Sequence, residues 1–328
     1  MKFKIFLKKA KRKSWKLLVD NFRYTRIYPF LYKSYWHSIF FKPKKTKHHL
    51  NYFTAIPRQD AGIGHQMANW IAGFWYAKQL GLKFVHFPFY PLKWDEFLGF
   101  GANEVLLSQI VKKENYVAIK LPKFNEENYK EVTRTKNIIK TYQHKKIIFF
   151  AEQDQFYFNQ FGNMQELQEK FYAAPIRKKE KLIYNPEYTN IAIHVRRGDI
   201  VAWQKKRSNN ENLRWQDNDY FVNTLVNALT SLIKNKPYKI YLFSQGEIED
   251  FKEFERFENL NYCLDMNAQD SFLHMVYADI LITSKSSFSY KPALLNKGTI
   301  ISPQKFWHGY PSIERWILTD EEGNFIKK

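Results

Sequence analysis

Two hydrophobic periods alternate along the chain. From His65 to Leu80 the apolar residues Met67, Trp70, Ile71, Phe74, Trp75, Ala77 and Leu80 recur at helical spacing, and Gly81 supplies the stop. Short runs rich in strand formers flank it, Tyr52 to Ile56 before and Lys83 to Phe87 after. Strand, helix, strand in that order predicts a parallel pair joined by a right-handed crossover. Lys145 to Phe150 reads as a further buried strand and Gln165 to Tyr172 as a helix leading into the connector Arg177 to Lys181. Pro88 to Gly101 and Lys123 to Tyr142 read as loops.

The second half repeats the alternation. Strands are predicted at Asn190–Val195, Lys239–Phe243, Asn261–Leu264, Ile280–Thr283 and Thr299–Ile301. Helices are predicted at Asp219–Lys234, Ile248–Phe257, Ala268–Tyr277, Phe288–Leu295 and, last, Ser312–Leu318. Five strands interleaved with helices make a doubly wound sheet, which binds ligands at the carboxyl ends of its strands. The predicted division is an N-terminal segment, 1–49, and two α/β domains, 50–180 and 181–328.

Composition changes this picture in two places. A single cysteine, Cys263, excludes an intramolecular disulfide and a cysteine metal cage, and fits a reducing cytoplasm. The net charge of +20 would point to nucleic acid, but it is concentrated: residues 1–49 hold fifteen Lys and Arg against one acid, Asp20. No nucleic-acid partner is therefore expected of the globular body. The lysines at 8, 9, 11, 13 and 16, with Arg12, interrupt any secretory core, and no run of about 18 apolar residues exists to span a bilayer. Phe3, Phe6, Leu7, Ala10, Ser14, Leu17 and Leu18 fall at helical spacing among those lysines, and an aromatic-rich stretch follows from Phe22 to Phe41. Such a segment suits the anionic inner face of the cytoplasmic membrane, which makes the chain a peripheral protein. The plainer alternatives are a basic tail or a helix docked on the body.

Three segments carry candidate chemistry. The strand through Ile193 ends in His194-Val195-Arg196-Arg197-Gly198-Asp199. Arginine's planar fork matches phosphate oxygens and stays charged, and glycine lets the backbone turn close to a ligand. Where a nucleoside diphosphate leaves, a fixed cation stabilises charge that grows in the transition state and can stand in for a metal. Gly62-Ile63-Gly64-His65-Gln66 opens a helix after the first strand, a turn that directs backbone N–H groups at an anion. It falls short of the full dinucleotide fingerprint, and a ligand-free tight turn would look the same. Ser284 to Ser289 lies between a strand and a helix, with Ser286 and Ser287 where either a helix cap or a phosphate site would fall.

In this order the segments resemble the fucosyltransferase superfamily, and most closely the bacterial α-1,2-fucosyltransferases of glycosyltransferase family 11. The likeness is carried by Gly62, Gly64 and Gln66, by the His-x-Arg-Arg-Gly-Asp of residues 194–199, and by Asp265 through Ser289. It covers residues 52 to about 305. The resemblance implies a GT-B-like α/β architecture, two facing Rossmann-like domains with parallel sheets, and inverting, metal-independent transfer of fucose from GDP-fucose to a glycan hydroxyl. It implies no cofactor beyond the donor, and a place in surface-polysaccharide or lipid-linked glycan synthesis. Arg196 and Arg197 would bind the diphosphate, Arg197 with a catalytic role. His194 would meet the nucleotide, and Ser286, Ser287 and Phe288 would line the donor pocket. Gly62, Gly64, His65 and Gln66 would face the substrate cleft.

The chain departs from that pattern after Phe243. The family's acidic pair is replaced by Ser244-Gln245-Gly246-Glu247, so Glu247 would supply a carboxylate for guanine, or Gln245 would mark a different base. The general base is open between Asp199, which is favoured, and Glu211, Asp217 or Asp219. Two other readings remain: a transferase of the same fold using another sugar nucleotide, and a basic nucleic-acid-binding protein.

Overall fold

The structure is a computed structural model that describes residues 2–37, 48–151, 157–198, 214–233 and 236–326. Its elements are helices α1 (Lys2–Phe22) and α2 (Tyr28–His37), then β1 (Tyr52–Thr54), α3 (Ile63–Leu80), β2 (Lys83–His86) and α4 (Lys93–Leu98). β3 (Val105–Leu106), α5 (Leu107–Glu114), β4 (Val117–Lys120), α6 (Tyr129–Lys140), β5 (Ile147–Phe150) and α7 (Met164–Ala173) complete the first half. The second half holds β6 (Thr189–His194), α8 (Asn218–Ala228), β7 (Tyr238–Ser244), β8 (Leu260–Leu264) and α9 (Ala268–Tyr277), then β9 (Ile280–Ile282), α10 (Ser287–Leu295), β10 (Thr299–Pro303) and β11 (Trp316–Thr319).

The chain forms two compact units, one of residues 1–56, 69–87 and 103–157, the other of 57–68, 88–102 and 158–328. Each holds one parallel sheet, so the α/β class with two parallel sheets is what the alternating pattern predicted. The first unit's sheet runs β3-β2-β1-β5-β4. Its core is aromatic: Phe53, Trp70, Phe149 and Tyr76 are fully buried, with Trp70 stacked 5.0 Å from Phe74. Burial of rings this large supplies most of the unit's cohesion.

The N-terminal segment holds α1 and α2, joined by a turn at residues 23–27, and α2 is docked on this unit. Tyr28 and Tyr32 are buried, the Tyr32 hydroxyl donates to the Lys120 carbonyl, and Lys33 Nζ donates to the Thr141 carbonyl at 2.7 Å. Trp15 of α1 stacks on Tyr35 at 4.3 Å and lies 6.1 Å from Tyr28. The side chains of Phe3, Phe6, Leu7 and Ala10 and the stretch from 38 to 47 lie outside the described residues. The segment read as a loop at 123–142 contains α6, capped by Asn128, whose side chain accepts from the amides of Lys130 and Glu131.

The second unit's sheet runs β11-β10-β9-β6-β7-β8, the strand order of a complete doubly wound, dinucleotide-binding sheet. Chain direction across the sheet reverses between β6 and β9, whose registers pair Ile191 with Ile280 and Ile193 with Ile282. Loops leaving these two strands diverge and open a crevice at their carboxyl ends. Two expectations fail here. The predicted terminal helix at 312–318 is instead β11, pairing Ile300 with Trp316 through Pro303 with Thr319. A short apolar run satisfies either period, and the open edge of β10 decides it by offering a ladder. The predicted helix at 248–257 is a pair of 3-10 turns over Ile248–Phe254, broken at Phe251 with φ −128°.

Candidate active site

A cavity of about 870 Å³ lies wholly within the second unit, at the carboxyl ends of β6 and β9. That is the size of a ligand pocket for a molecule as large as a nucleotide sugar. Its wall collects Gly62, Gly64 and His65, then His194, Arg196 and Arg197, and then Ser286, Ser287 and Phe288. Three segments far apart in sequence meet there because two follow neighbouring strands and the third packs on the second of them.

That packing depends on Gly64. A Cβ at this position would lie 2.7 Å from the Ser287 carbonyl carbon and 2.8 Å from its oxygen, so only glycine lets the first turn of α3 approach the first turn of α10. Nothing lies within 4 Å of a Cβ built on Gly62. Gln66 is buried and absent from the wall. Its amide donates to the carbonyls of Ala61 and Tyr90 and its oxygen accepts from the Tyr90 amide, which ties the glycine turn to the 88–102 segment.

The start of α10 is built from serines. Ser286 caps the helix by accepting from the Phe288 amide at 3.2 Å, and Arg196 Nη1 stands 3.4 Å from the same hydroxyl. A guanidinium beside a helix N-terminus, the positive end of the helix dipole, makes an anion site. Ser287 Oγ is 3.4 Å from Nε2 of His308, a buried imidazole stacked 4.7 Å from Tyr290. Burial, then the nearby Lys291, push His308 down to about 2, so it stays neutral.

His194 ends β6 with Nδ1 2.9 Å from Ser284 Oγ and its ring 5.5 Å from Phe288. Burial, reinforced by Arg196 and Arg197, lowers its pKa to about 3. A neutral, hydrogen-bonded imidazole couples the two loops across the switch point.

The two arginines are used differently. Arg197 is buried, and its fork donates to the carbonyls of Arg196 (2.9 Å) and Gln216 (3.2 Å) and to Asn218 Oδ1 (2.5 Å). Its guanidinium lies 4.2 Å over the Trp215 ring. Burial lowers its pKa to about 10, while Asp217, Asp250 and Glu253 oppose the shift; the group remains charged at neutral pH. Arg196, half-buried, is the arginine turned to the α10 terminus. Gly198 adopts φ +50°, and its missing Cβ leaves room for Gln245, another wall residue.

Asp199 and Glu211 lie outside the described residues. Glu247 is not on the wall: it caps the following turn, accepting from an amide there while its own N–H donates to Asp250 Oδ2 at 3.0 Å. Asp217 and Asp219 are likewise not on the wall. Residues the sequence reading assigned no role do line it: Asp265 at the end of β8, Asn267, Ser271, Arg214 and Trp307, the last two stacked at 4.6 Å. Asp265 has φ +56° and its amide donates to the Ser244 carbonyl. An acid directly after a predicted parallel strand was the signal that could have singled it out. Among the described residues no group of three His, Cys, Asp or Glu is placed to hold a metal ion.

No protein-family model and no curated protein matches the chain. Among solved structures it is similar to the fucosyltransferase NodZ from Bradyrhizobium, at 13% identity and a TM-score of 0.46 over 76% of this chain and 93% of that one. A structure of the NodZ α-1,6-fucosyltransferase co-crystallised with GDP gives 13% and 0.45, over 76% and 93%. POFUT1 in complex with GDP-fucose gives 11% and 0.45, over 79% of this chain and 97% of that one. At that level of likeness, function has to be argued from the pocket's own residues.

Proposed function

We propose that this pocket binds a nucleoside-diphosphate sugar, and that the chain is an inverting glycosyltransferase moving fucose from GDP-fucose to a glycan hydroxyl, in an α-1,2 linkage, without a metal. The single observation that carries the reading is Arg196 beside the serine-built N-terminus of α10, at the switch point of a doubly wound sheet. A diphosphate seated there meets a fixed cation and the positive end of the helix dipole, both of which bind it more tightly as charge grows on the departing oxygen. Arg197 contributes its positive field and holds the loop that presents Arg196.

Asp265 supports guanine as the base. Its carboxylate offers two acceptors to the paired N–H donors of guanine, the part assigned from sequence to Glu247. Gln245 on the wall favours the second reading, a donor with another base, since an amide pairs with donors and acceptors alike. Thermal shifts with GDP, UDP and ADP, followed by nucleoside diphosphate release from the matching sugars with EDTA present, test both. Stabilisation by GDP and release of GDP from GDP-fucose support the first reading; a response only to UDP or ADP defeats it.

The membrane surface is the partner we assign to the N-terminal helices, where a lipid-linked or surface-polysaccharide acceptor would be met. No helix among the described residues is long and apolar enough to cross a bilayer. Leu17, Phe22, Ile27 and Phe30 are exposed beside Lys11, Lys13, Lys16, Arg23 and Arg26, the mixture of bulky apolar and basic groups that an anionic interface accommodates.

A further inference from the structure

Transfer to a hydroxyl needs a group that takes its proton as the new bond forms. Among the described residues of the cavity wall, three side chains could accept a proton: His65, His194 and Asp265. His194 is unsuited. It is buried, its Nδ1 is engaged by Ser284, and its ring packs against Phe288. Asp265 follows β8, and β7 separates that strand from β6, so it stands on the wall of Asn267 and Ser271 rather than at the switch point.

His65 differs from both. It is exposed on the first turn of α3, and its imidazole makes no hydrogen bond to another described residue. The preceding residue, Gly64, has its backbone packed on Ser287, so His65 is held at the α10 terminus where the diphosphate is placed. The glycine contact therefore fixes the histidine beside the proposed seat of the diphosphate. We infer that His65 is the general base of the transfer, an inference that rests on the glycosyltransferase reading above.

In this step a ring nitrogen of His65 takes the acceptor's hydroxyl proton as the O–H bond breaks. The oxygen's electron pair forms the bond to the anomeric carbon. The bond from that carbon to the β-phosphate oxygen breaks, and its pair leaves with the diphosphate, whose charge is met by Arg196 and the N-terminal end of α10. The imidazolium then returns its proton to water. Charged and titratable groups around His65 are Arg58, paired with Asp60, on the preceding turn, His308 behind Ser287, and Arg196, Arg197, Arg214 and Asp265 on the wall.

The test uses the full chain carrying His65→Gln, which keeps size and polarity without basicity, and His65→Ala. For His65→Gln the expected result is a kcat lower by about 10² to 10⁴, GDP affinity unchanged, and loss of the acid limb of the kcat/KM profile. Added imidazole is expected to restore turnover to His65→Ala. Transfer by His65→Gln within threefold of the parent chain, a retained acid limb, or a parallel loss of GDP binding overturns the assignment. Movement of the limb with Asp199→Asn instead would place the base there. A parent chain that neither binds GDP nor releases it from GDP-fucose would instead defeat the donor reading.

Discussion

Nη2 of Arg197 donates to Oδ1 of Asn218 at 2.5 Å, and the amide of Asn218 donates onward to the Asp250 carbonyl and to Glu253 Oε2, both at 2.7 Å. The pair joins the loop after β6 to the first turn of α8 and, through it, to the turn after β7. Three connections at the carboxyl edge of the sheet are thus tied by one guanidinium, with Trp215 covering its face. Arg197 therefore acts on the site largely through the loop it holds, and Arg196 is the arginine turned to the α10 terminus.

Replacing the two arginines should separate fold from binding. Arg197→Ala removes three hydrogen bonds from a charged donor and leaves the Gln216 carbonyl and Asn218 short of a partner, at about 1.5–3 kcal/mol for each bond to the charged group, not additively. A fall in melting temperature together with loss of transfer is expected. Arg196→Ala should keep the melting temperature and weaken GDP binding tenfold or more. Chemical denaturation and GDP titration of both variants decide it; equal stability in the two would contradict the division of roles.

Gly64→Ala and Gly62→Ala should also part company. The first drives a methyl group into the Ser287 backbone, so α3 and α10 must separate and the diphosphate site opens. The second meets nothing within 4 Å. Transfer lost at 64 and kept at 62 is the expected outcome, read as turnover under saturating donor. Loss at both positions would mean that a ligand, rather than Ser287, needs the space at 62.

Two buried neutral histidines make the fold acid-sensitive. His194 and His308 titrate near 3 and 2 in the folded chain, against an ordinary 6.5. Above 6.5 folded and unfolded chains hold both rings neutral, and stability is unaffected. As pH falls below 6.5 the unfolded chain binds protons that the fold refuses, so stability drops by about 1.4 kcal/mol per unit for each histidine. Melting between pH 7 and 5 should show this, and His308→Phe, which keeps the stack on Tyr290, should remove part of it, the remainder resting on His194 and on buried His274, whose pKa burial also lowers. An unchanged slope in that variant would show that His308 is not the source.

Membrane attachment predicts binding to vesicles of phosphatidylcholine with phosphatidylserine and not to phosphatidylcholine alone. Each lysine near an anionic surface contributes about 1 kcal/mol, so alanine at Lys11, Lys13 and Lys16 together should weaken binding about a hundredfold. Point variants are preferable to deleting residues 1–49, because Tyr28 and Tyr32 are part of the first unit's core. Undiminished sedimentation of the triple variant with anionic vesicles would refute the electrostatic part, and tight nucleic-acid binding lost in that variant would point to a different partner.

The sequence by itself determined the elements whose period is long or whose chemistry is local. The stretch from 65 to 80 can bury its apolar face only as a helix, and β6, β7 and β9 are continuous apolar runs that suit strands covered on both faces. The arginine pair before Gly198, at the end of β6, was readable for the same reason. Tertiary structure decided the rest. Trp316 to Thr319 became a strand because the edge of β10 was open to it, a fact no four-residue window contains. The helix at 129–140 was read as a loop because its polar surface masks the few positions it buries, Arg134, Thr135 and Ile138. Glu247 was spent on its own helix cap, while Asp265, which opens the segment running to Ser289 but was given no role, reached the pocket through strand order. Spacing along the chain reveals which groups can share a helix or a strand; which loops converge is set by the order in which strands pair.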